Sequence, residues 1–199
     1  MNGRADKTPP REDDEQLVRQ ALAGEGRGFE RLVNRHRDAV FNLCYRMLGD
    51  LDDADDCAQE VFIRIYRKLA GFRFQSAFST WLYRVALNTC RNFAVSSQRV
   101  RARGALRLDD PSSGNGAALE IGDSSANPEA LYERGERALA IERAIAGLPA
   151  KQRMLVVLRD IEGRSYEEIA ELAGMKLGTV KSKLARARGA LREKLEGVL

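Results

Sequence analysis

The sequence is short of almost everything a catalyst is built from. It has one histidine, His36, and three cysteines, Cys44, Cys57 and Cys90, set far apart. No C-x-x-C pair or Cys/His run stands at metal-ligand spacing. The residues therefore name no catalytic centre, no metal site and no cofactor, and an enzyme has nothing to build on. Three scattered thiols read as small buried hydrophobes of a reduced, cytoplasmic protein and give no support to a thiol switch. No Gly-rich phosphate loop is present, no segment alternates with period two over strand length, and no internal repeat is evident. No apolar run approaches the roughly 18 residues that span a membrane. The opening "MNGRADKTPPREDDEQ" lacks the apolar core of a secretion signal, so the chain is expected to be cytoplasmic, neither exported nor inserted in a bilayer.

What is present is helix and charge. Charged residues make up 31% of the 199, and the net charge of +4 is unevenly spread. Asp50, Asp52, Asp53, Asp55, Asp56 and Glu60 form an acidic block. Arg91, Arg99, Arg101, Arg103 and Arg107 follow with no acid between them. Acids return from Asp109 to Glu133, and the end is basic again, from Lys176 through Lys194. Blocks of alternating sign predict that the chain meets more than one surface.

The apolar pattern predicts an all-α protein of two small helical domains joined by a flexible linker. Residues 1–14 read as a loose tail. In the first domain, 15–103, helices are marked by Leu17, Val18, Ala21 and Leu22, by Phe29 to Met47, by Ala54, Ala58, Val61, Phe62, Ile65, Tyr66 and Leu69, and, after Ser79, by Leu82, Val85, Ala86, Thr89 and Phe93. Residues 104–128, "GALRLDDPSSGNGAALEIGDSSANP", have a linker's composition. The second domain, 129–199, has Leu139, Ile141, Ile145 and Leu148 before a break at Pro149, then a helix from Met154 to Ile161 stopped by Gly163.

The segment "RSYEEIAELAGMKLGTVKSKLARARGALREKL" carries a motif. Ser165 and Glu168 form an S-x-x-E capping box that opens a short helix, and Gly174 supplies a turn. On the next helix, Val180, Leu184, Ala187 and Leu191 fall within about 60° of one another at 100° per residue. Opposite them stand Ser182, Ala185, Arg186 and Gly189, flanked by Lys181, Lys183 and Arg188. Two helices around a Gly turn make a helix-turn-helix, whose second helix enters the major groove. Small residues permit close approach there, and Arg186 is placed to read a guanine edge.

A second constellation lies in "FRFQSAFSTWLYRVALNTCRN", residues 72–92. Arg84, Asn88 and Arg91 share one side of a helix, extended by Asn92 and Arg99, with Trp81 on the border of the core. Aromatic surface, amides and arginines together suit bases splayed from single-stranded DNA, and the loop "FRFQSAF" suits a pocket for a flipped base. Taken singly, Phe72, Phe78 and Trp81 each read as core before they read as binding surface, and Tyr83 is the aromatic expected to be half exposed.

"DDADDCAQEVFIRIYRKL" followed by "GFRFQSAFSTWLYRVALNTCRN", the linker and the helix-turn-helix resemble a bacterial RNA polymerase sigma factor of the extracytoplasmic-function class, from about Glu15 to Leu195. The resemblance implies that Asp56, Gln59, Glu60 and Phe62 meet the clamp helices of the core polymerase's largest subunit. It implies that Phe72, Ser76, Phe78, Trp81, Arg84, Asn88, Arg91 and Asn92 bind the single-stranded −10 element. Thr179, Lys181, Ser182, Lys183, Ala185 and Arg186 match the family's reader of the duplex −35 element. It further implies control by an anti-sigma factor in a stress response. Where the family's loop often reads F-R-G-[DE]-S-x-F, this one has Phe74 and Gln75. Trp81 stands alone, without an adjacent tryptophan, so strand separation is expected to rely on base capture more than on wedging. A stand-alone DNA-binding regulator would leave the Asp56/Gln59 patch without a purpose, and a mere mimic that captures an anti-sigma factor would not need the basic recognition face.

Overall fold

A computed structural model of the protein describes residues 13–104 and 128–196, with side chains over 13–96 and 135–196. The expected tail, through residue 12, and the linker, over 105–127, lie outside the described residues. Among those described there is no β-strand.

Helix α1, Asp14–Leu22, is opened by the Asp13 carboxylate, which accepts from the Glu15 amide at 2.9 Å. Ordered helix therefore begins slightly earlier than the hydrophobic pattern suggests. It is followed by α2, Gly26–Leu48, which turns back on α1. At Gly28 the two backbones nearly touch: a Cβ there would stand 2.7 Å from the Ala21 nitrogen and 2.8 Å from the Leu17 carbonyl oxygen. Only glycine permits that crossing. Helix α2 ends at Gly49, in the left-handed region at φ 80°. Asp50 then caps α3, Leu51–Lys68, by accepting from the Asp53 amide at 2.8 Å. A 3-10 turn, Leu69–Gly71, leads through a loop into the long α4, Phe78–Gly104.

The first core is built from Leu17, Val18, Leu32, Val40, Leu43, Val61, Ile65 and Leu82, all nearly free of solvent. Each buried aliphatic side chain of this size stabilises the fold by about 1.5–3 kcal/mol relative to exposure. Thr89 is also buried on α4, and its hydroxyl donates to the Val85 carbonyl at 2.8 Å, so no polar atom there is orphaned. For two tyrosines the expectation fails. Tyr66 is 67% exposed, and Cys57 takes an inward place on α3 instead. Tyr83 is only 5% exposed, because a second element covers it.

That element belongs to the second domain: α5, Pro128–Ala146; α6, Ala150–Val156; α7, Tyr166–Ala173; and α8, Leu177–Leu195. Helix α6 widens into a π-helical stretch, Val157–Ile161, which closes with the Glu162 amide donating to the Val157 carbonyl at 2.9 Å. Its core includes Leu148, Leu155, Leu158, Ile169, Val180, Leu184 and Ala187.

The two domains are docked. The Tyr83 hydroxyl donates to Glu162 at 2.5 Å, and the Arg164 guanidinium lies 4.4 Å from the Tyr83 ring centre. Arg84 donates to Glu171 at 2.7 Å. Arg46 lies 3.5 Å from Glu142 and 3.8 Å from Glu162. Arg153 of α6 donates to the Met47 carbonyl of α2 at 2.7 Å, and also to the carbonyls of Ala146 and Leu148 at the α5–α6 corner. Burial lowers the pKa of its guanidinium.

Candidate nucleic-acid and polymerase surfaces

On α8 the apolar stripe of Val180, Leu184 and Ala187 is buried, which turns the opposite face outward: Lys181, Ser182, Ala185, Arg186 and Gly189 are exposed. Thr179 and Lys183 are half-buried at its margins. The Ser182 hydroxyl donates back to the Thr179 carbonyl at 3.1 Å, and the Lys181 ammonium lies 5.7 Å from the Tyr166 ring centre. Arg188 is drawn aside, its guanidinium tied to the Asp160 carboxylate.

The helix that supports this face is fixed by the capping box. The Ser165 hydroxyl accepts from the Glu168 amide at 3.1 Å, and the Glu168 carboxylate accepts from the Ser165 amide at 2.8 Å. That backbone bond, helped by Arg164, holds the Glu168 carboxyl below the usual carboxylate range. Gly174 ends α7 at φ 62°, in the left-handed region, and sets the angle to α8.

The aromatic loop before α4 is organised around buried rings. Phe72 and Phe78 are 8% and 5% exposed, so they support a surface more than they form one. Trp81 is half-buried, its ring 5.1 Å from Phe72 and 5.9 Å from Phe78. A pocket of about 350 Å³ opens beside it, lined by Phe72, Gln75, Ser76, Trp81, Arg84 and, from α7, Glu171. Asn88, Arg91 and Asn92 continue outward along α4, all exposed, with Arg91 donating to the Asn88 side-chain oxygen at 3.2 Å. The side chain of Arg99 lies outside the described residues. Phe74 has φ 56°, a left-handed conformation that is uncommon for a bulky residue. Its ring is held by Phe72 at 4.9 Å and by the Arg19 guanidinium at 4.7 Å.

On α3, Asp55, Asp56 and Gln59 are exposed, with Gln59 donating to Asp55 at 2.8 Å. Glu60 pairs with Arg64 at 2.6 Å and Phe62 is half-buried. Exposed Ile63 and Tyr66 flank this acidic face. Sequence periodicity missed the roles of Glu162 and Glu171, which reach the first domain from the second. Contacts between residues so distant in sequence leave no local signal. It likewise missed that the three cysteines meet.

The Sigma-70 region 2 family matches residues 32–100, and the Sigma-70 region 4 family matches residues 138–191. The RNA polymerase sigma-H factor of Pseudomonas aeruginosa is 38% identical over 192 residues, spanning 94% of this chain and 96% of that protein. The ECF RNA polymerase sigma-E factor of Escherichia coli K12 is 38% identical over 189 residues, with the same coverage of 94% and 96%. Two solved structures share the fold. The sigma factor RpoE of Bartonella quintana, crystallised with the anti-sigma factor NepR, has a TM-score of 0.67 at 22% identity, covering 84% of this chain and 96% of that one. CnrH, solved with the cytosolic domain of CnrY, has a TM-score of 0.64 at 24% identity, covering 92% and 97%. The chain belongs to the extracytoplasmic-function class of sigma-70 family RNA polymerase sigma factors.

Proposed function

We propose that this sigma factor gives core RNA polymerase its promoter specificity through three separate surfaces and performs no chemistry of its own. The acidic face of α3, with Asp56, Gln59, Glu60 and Phe62, docks on the clamp helices of the largest subunit. An acidic surface with apolar neighbours such as Ile63 is suited to a basic partner. The α8 face, with Thr179, Lys181, Ser182, Lys183, Ala185 and Arg186, reads the −35 element as duplex. Small residues admit the helix to the groove, and Arg186 is available for a bidentate guanine contact. The pocket between Phe72 and Trp81 receives a base flipped from the −10 element. Ser76 and Gln75 face its edges, while Arg84, Asn88, Arg91 and Asn92 carry the strand. Phe72 and Phe78 act in this reading as the floor that holds the pocket's shape.

Opening a base pair costs a few kcal/mol per flipped base, and stacking on Trp81 with edge contacts offsets that cost. The domain limits follow the same division: 15–103 for polymerase and −10 binding, 129–199 for −35 binding, and 104–128 as the tether. The factor works in the cytoplasm and is held inactive by an anti-sigma factor, the kind of partner with which the Bartonella quintana RpoE was crystallised.

The observation that carries the reading is the α8 face: basic, lined with small residues, and held outward by a buried stripe and a complete capping box. Run-off transcription with purified core polymerase on a genomic fragment library tests it. Discrete new transcripts sharing upstream elements are expected. No transcripts together with no core binding would overturn the proposal.

A further inference from the structure

Cys44 on α2, Cys57 on α3 and Cys90 on α4 converge where the three helices pack together. The Cys90 sulfur lies 3.6 Å from that of Cys44 and 3.8 Å from that of Cys57, and all three sulfurs fall within 4.8 Å of one another. Each side chain is at most 1% exposed, and none is in a disulfide. A single buried cysteine is an ordinary small hydrophobe. Three from separate helices, directing their sulfurs at one another, are also a preformed set of soft ligands. Metal–sulfur bonds of about 2.3 Å place sulfurs roughly 3.8–4.0 Å apart in tetrahedral or trigonal geometry, and a pyramidal centre draws them closer, so the separations of 3.6 and 3.8 Å suit three sulfurs on one centre.

Charge and coordination number select the ion. Zinc takes four ligands in closed protein sites, and among the described residues no fourth His, Cys, Asp or Glu joins the three sulfurs. Copper(I) or a divalent ion bound by three thiolates leaves net negative charge in an apolar core, which is strongly disfavoured. A trivalent thiophilic metalloid leaves none.

We propose that Cys44, Cys57 and Cys90 form a binding site for a trivalent thiophilic metalloid, represented by arsenous acid. The exchange is balanced without any redox partner. Each thiol proton leaves with one hydroxyl of As(OH)3, three As–S bonds replace three As–O bonds, three waters are released, and arsenic stays in the +3 state. Both reactants and the product are neutral. The bound arsenic would staple α2, α3 and α4 together.

The test uses the full, reduced protein with arsenous acid as the probe, followed by intact mass, thiol titration and denaturant unfolding. One arsenic should add per chain with loss of three hydrogens, all three thiols should become unreactive, and unfolding should move to higher denaturant. Cys57→Ala keeps a small apolar side chain, and its folding is checked by circular dichroism. Losing one of three linked ligands should weaken binding by roughly a hundredfold or more. Cys90→Ala provides the same test should Cys57→Ala not fold. Three reactive thiols at saturating arsenous acid would overturn the proposal. So would undiminished affinity in a folded variant, one-to-one zinc binding in preference to arsenic, or a disulfide formed in place of arsenic uptake.

Discussion

Tyr83→Phe isolates what one hydroxyl contributes to the docked arrangement. The phenol oxygen donates to Glu162 at 2.5 Å across the domain boundary, and the residue is 5% exposed. Phenylalanine keeps the ring, its burial and its place beneath Arg164, so only the hydrogen bond is lost. A hydrogen bond to a charged group contributes about 1.5–3 kcal/mol. Glu162 retains Arg46 at 3.8 Å and is not left orphaned, which puts the cost near the lower end, about 1.5 kcal/mol. That is about a tenfold shift of the docked–undocked equilibrium. Glu171 stands in the wall of the Trp81 pocket and pairs with Arg84, so a phosphate that takes Arg84 displaces Glu171 and favours the undocked chain. A ligand that selects the undocked chain gains apparent affinity in proportion to its population. The variant should therefore bind a single-stranded −10 oligonucleotide, chosen from the transcripts above, about tenfold more tightly. Fluorescence anisotropy measures this directly. Unchanged oligonucleotide affinity in a variant with wild-type helicity would refute the reasoning. The same bond has a pH signature. Burial, then the bond to Glu162, push the Tyr83 hydroxyl up to about 12. A folded-state pKa above the unfolded value of about 10 stabilises the docked chain below that pH and loses the contribution as pH rises through the folded value. Wild type should lose stability between pH 10 and 12 by one proton's linkage more than Tyr83→Phe does.

At Phe74, a left-handed backbone costs a non-glycine residue about 1–2 kcal/mol, whereas glycine's extra unfolded-state freedom costs about 0.4–1 kcal/mol. Phe74→Gly should therefore be more stable than Phe74→Ala by roughly 1 kcal/mol in urea unfolding, with equal stabilities counting against the strain. Arg186→Ala should weaken −35 duplex binding by about 1–3 kcal/mol and relax specificity at one base pair, read by competition binding; unaltered affinity would remove that role. Asn88→Ala should leave duplex binding intact and reduce promoter opening measured by permanganate reactivity, and equal loss of both would indicate misfolding. Ser165→Ala should lower stability by about 0.5–2 kcal/mol in thermal unfolding, because the Glu168 amide loses its cap.

Much of this was legible in the sequence because helices declare their buried face. Once Val180, Leu184 and Ala187 are assigned inward, the exposure of Ser182, Ala185 and Arg186 follows from geometry. The Ser165–Glu168 box was readable for the same reason: its partners are three residues apart. Tyr83 misled because a polar tip usually signals a half-wet position. Here the tip is satisfied by a carboxylate from another domain, 79 residues away. Tyr66 misled in the other direction, since its aromatic ring fits the inward pattern but lies outside, edge-on to Phe29 at 5.0 Å. The cysteine convergence and the left-handed Phe74 are products of tertiary packing and loop closure, for which periodicity has no vocabulary.

The hydrogen bonds and ion pairs across the domain boundary have a further consequence, in ionic strength. The Arg84–Glu171 pair is 42% and 53% exposed, so mobile ions screen it. Salt also displaces proteins from nucleic acid by competing for phosphate. The two effects oppose each other here. Added salt weakens each arginine–phosphate contact but also loosens the carboxylate that occupies Arg84 in the free chain. Net binding of single-stranded DNA by the intact protein should thus fall less steeply with salt than its number of phosphate contacts alone would give. Promoter recognition by this factor would then be buffered against changes in the cell's ionic content.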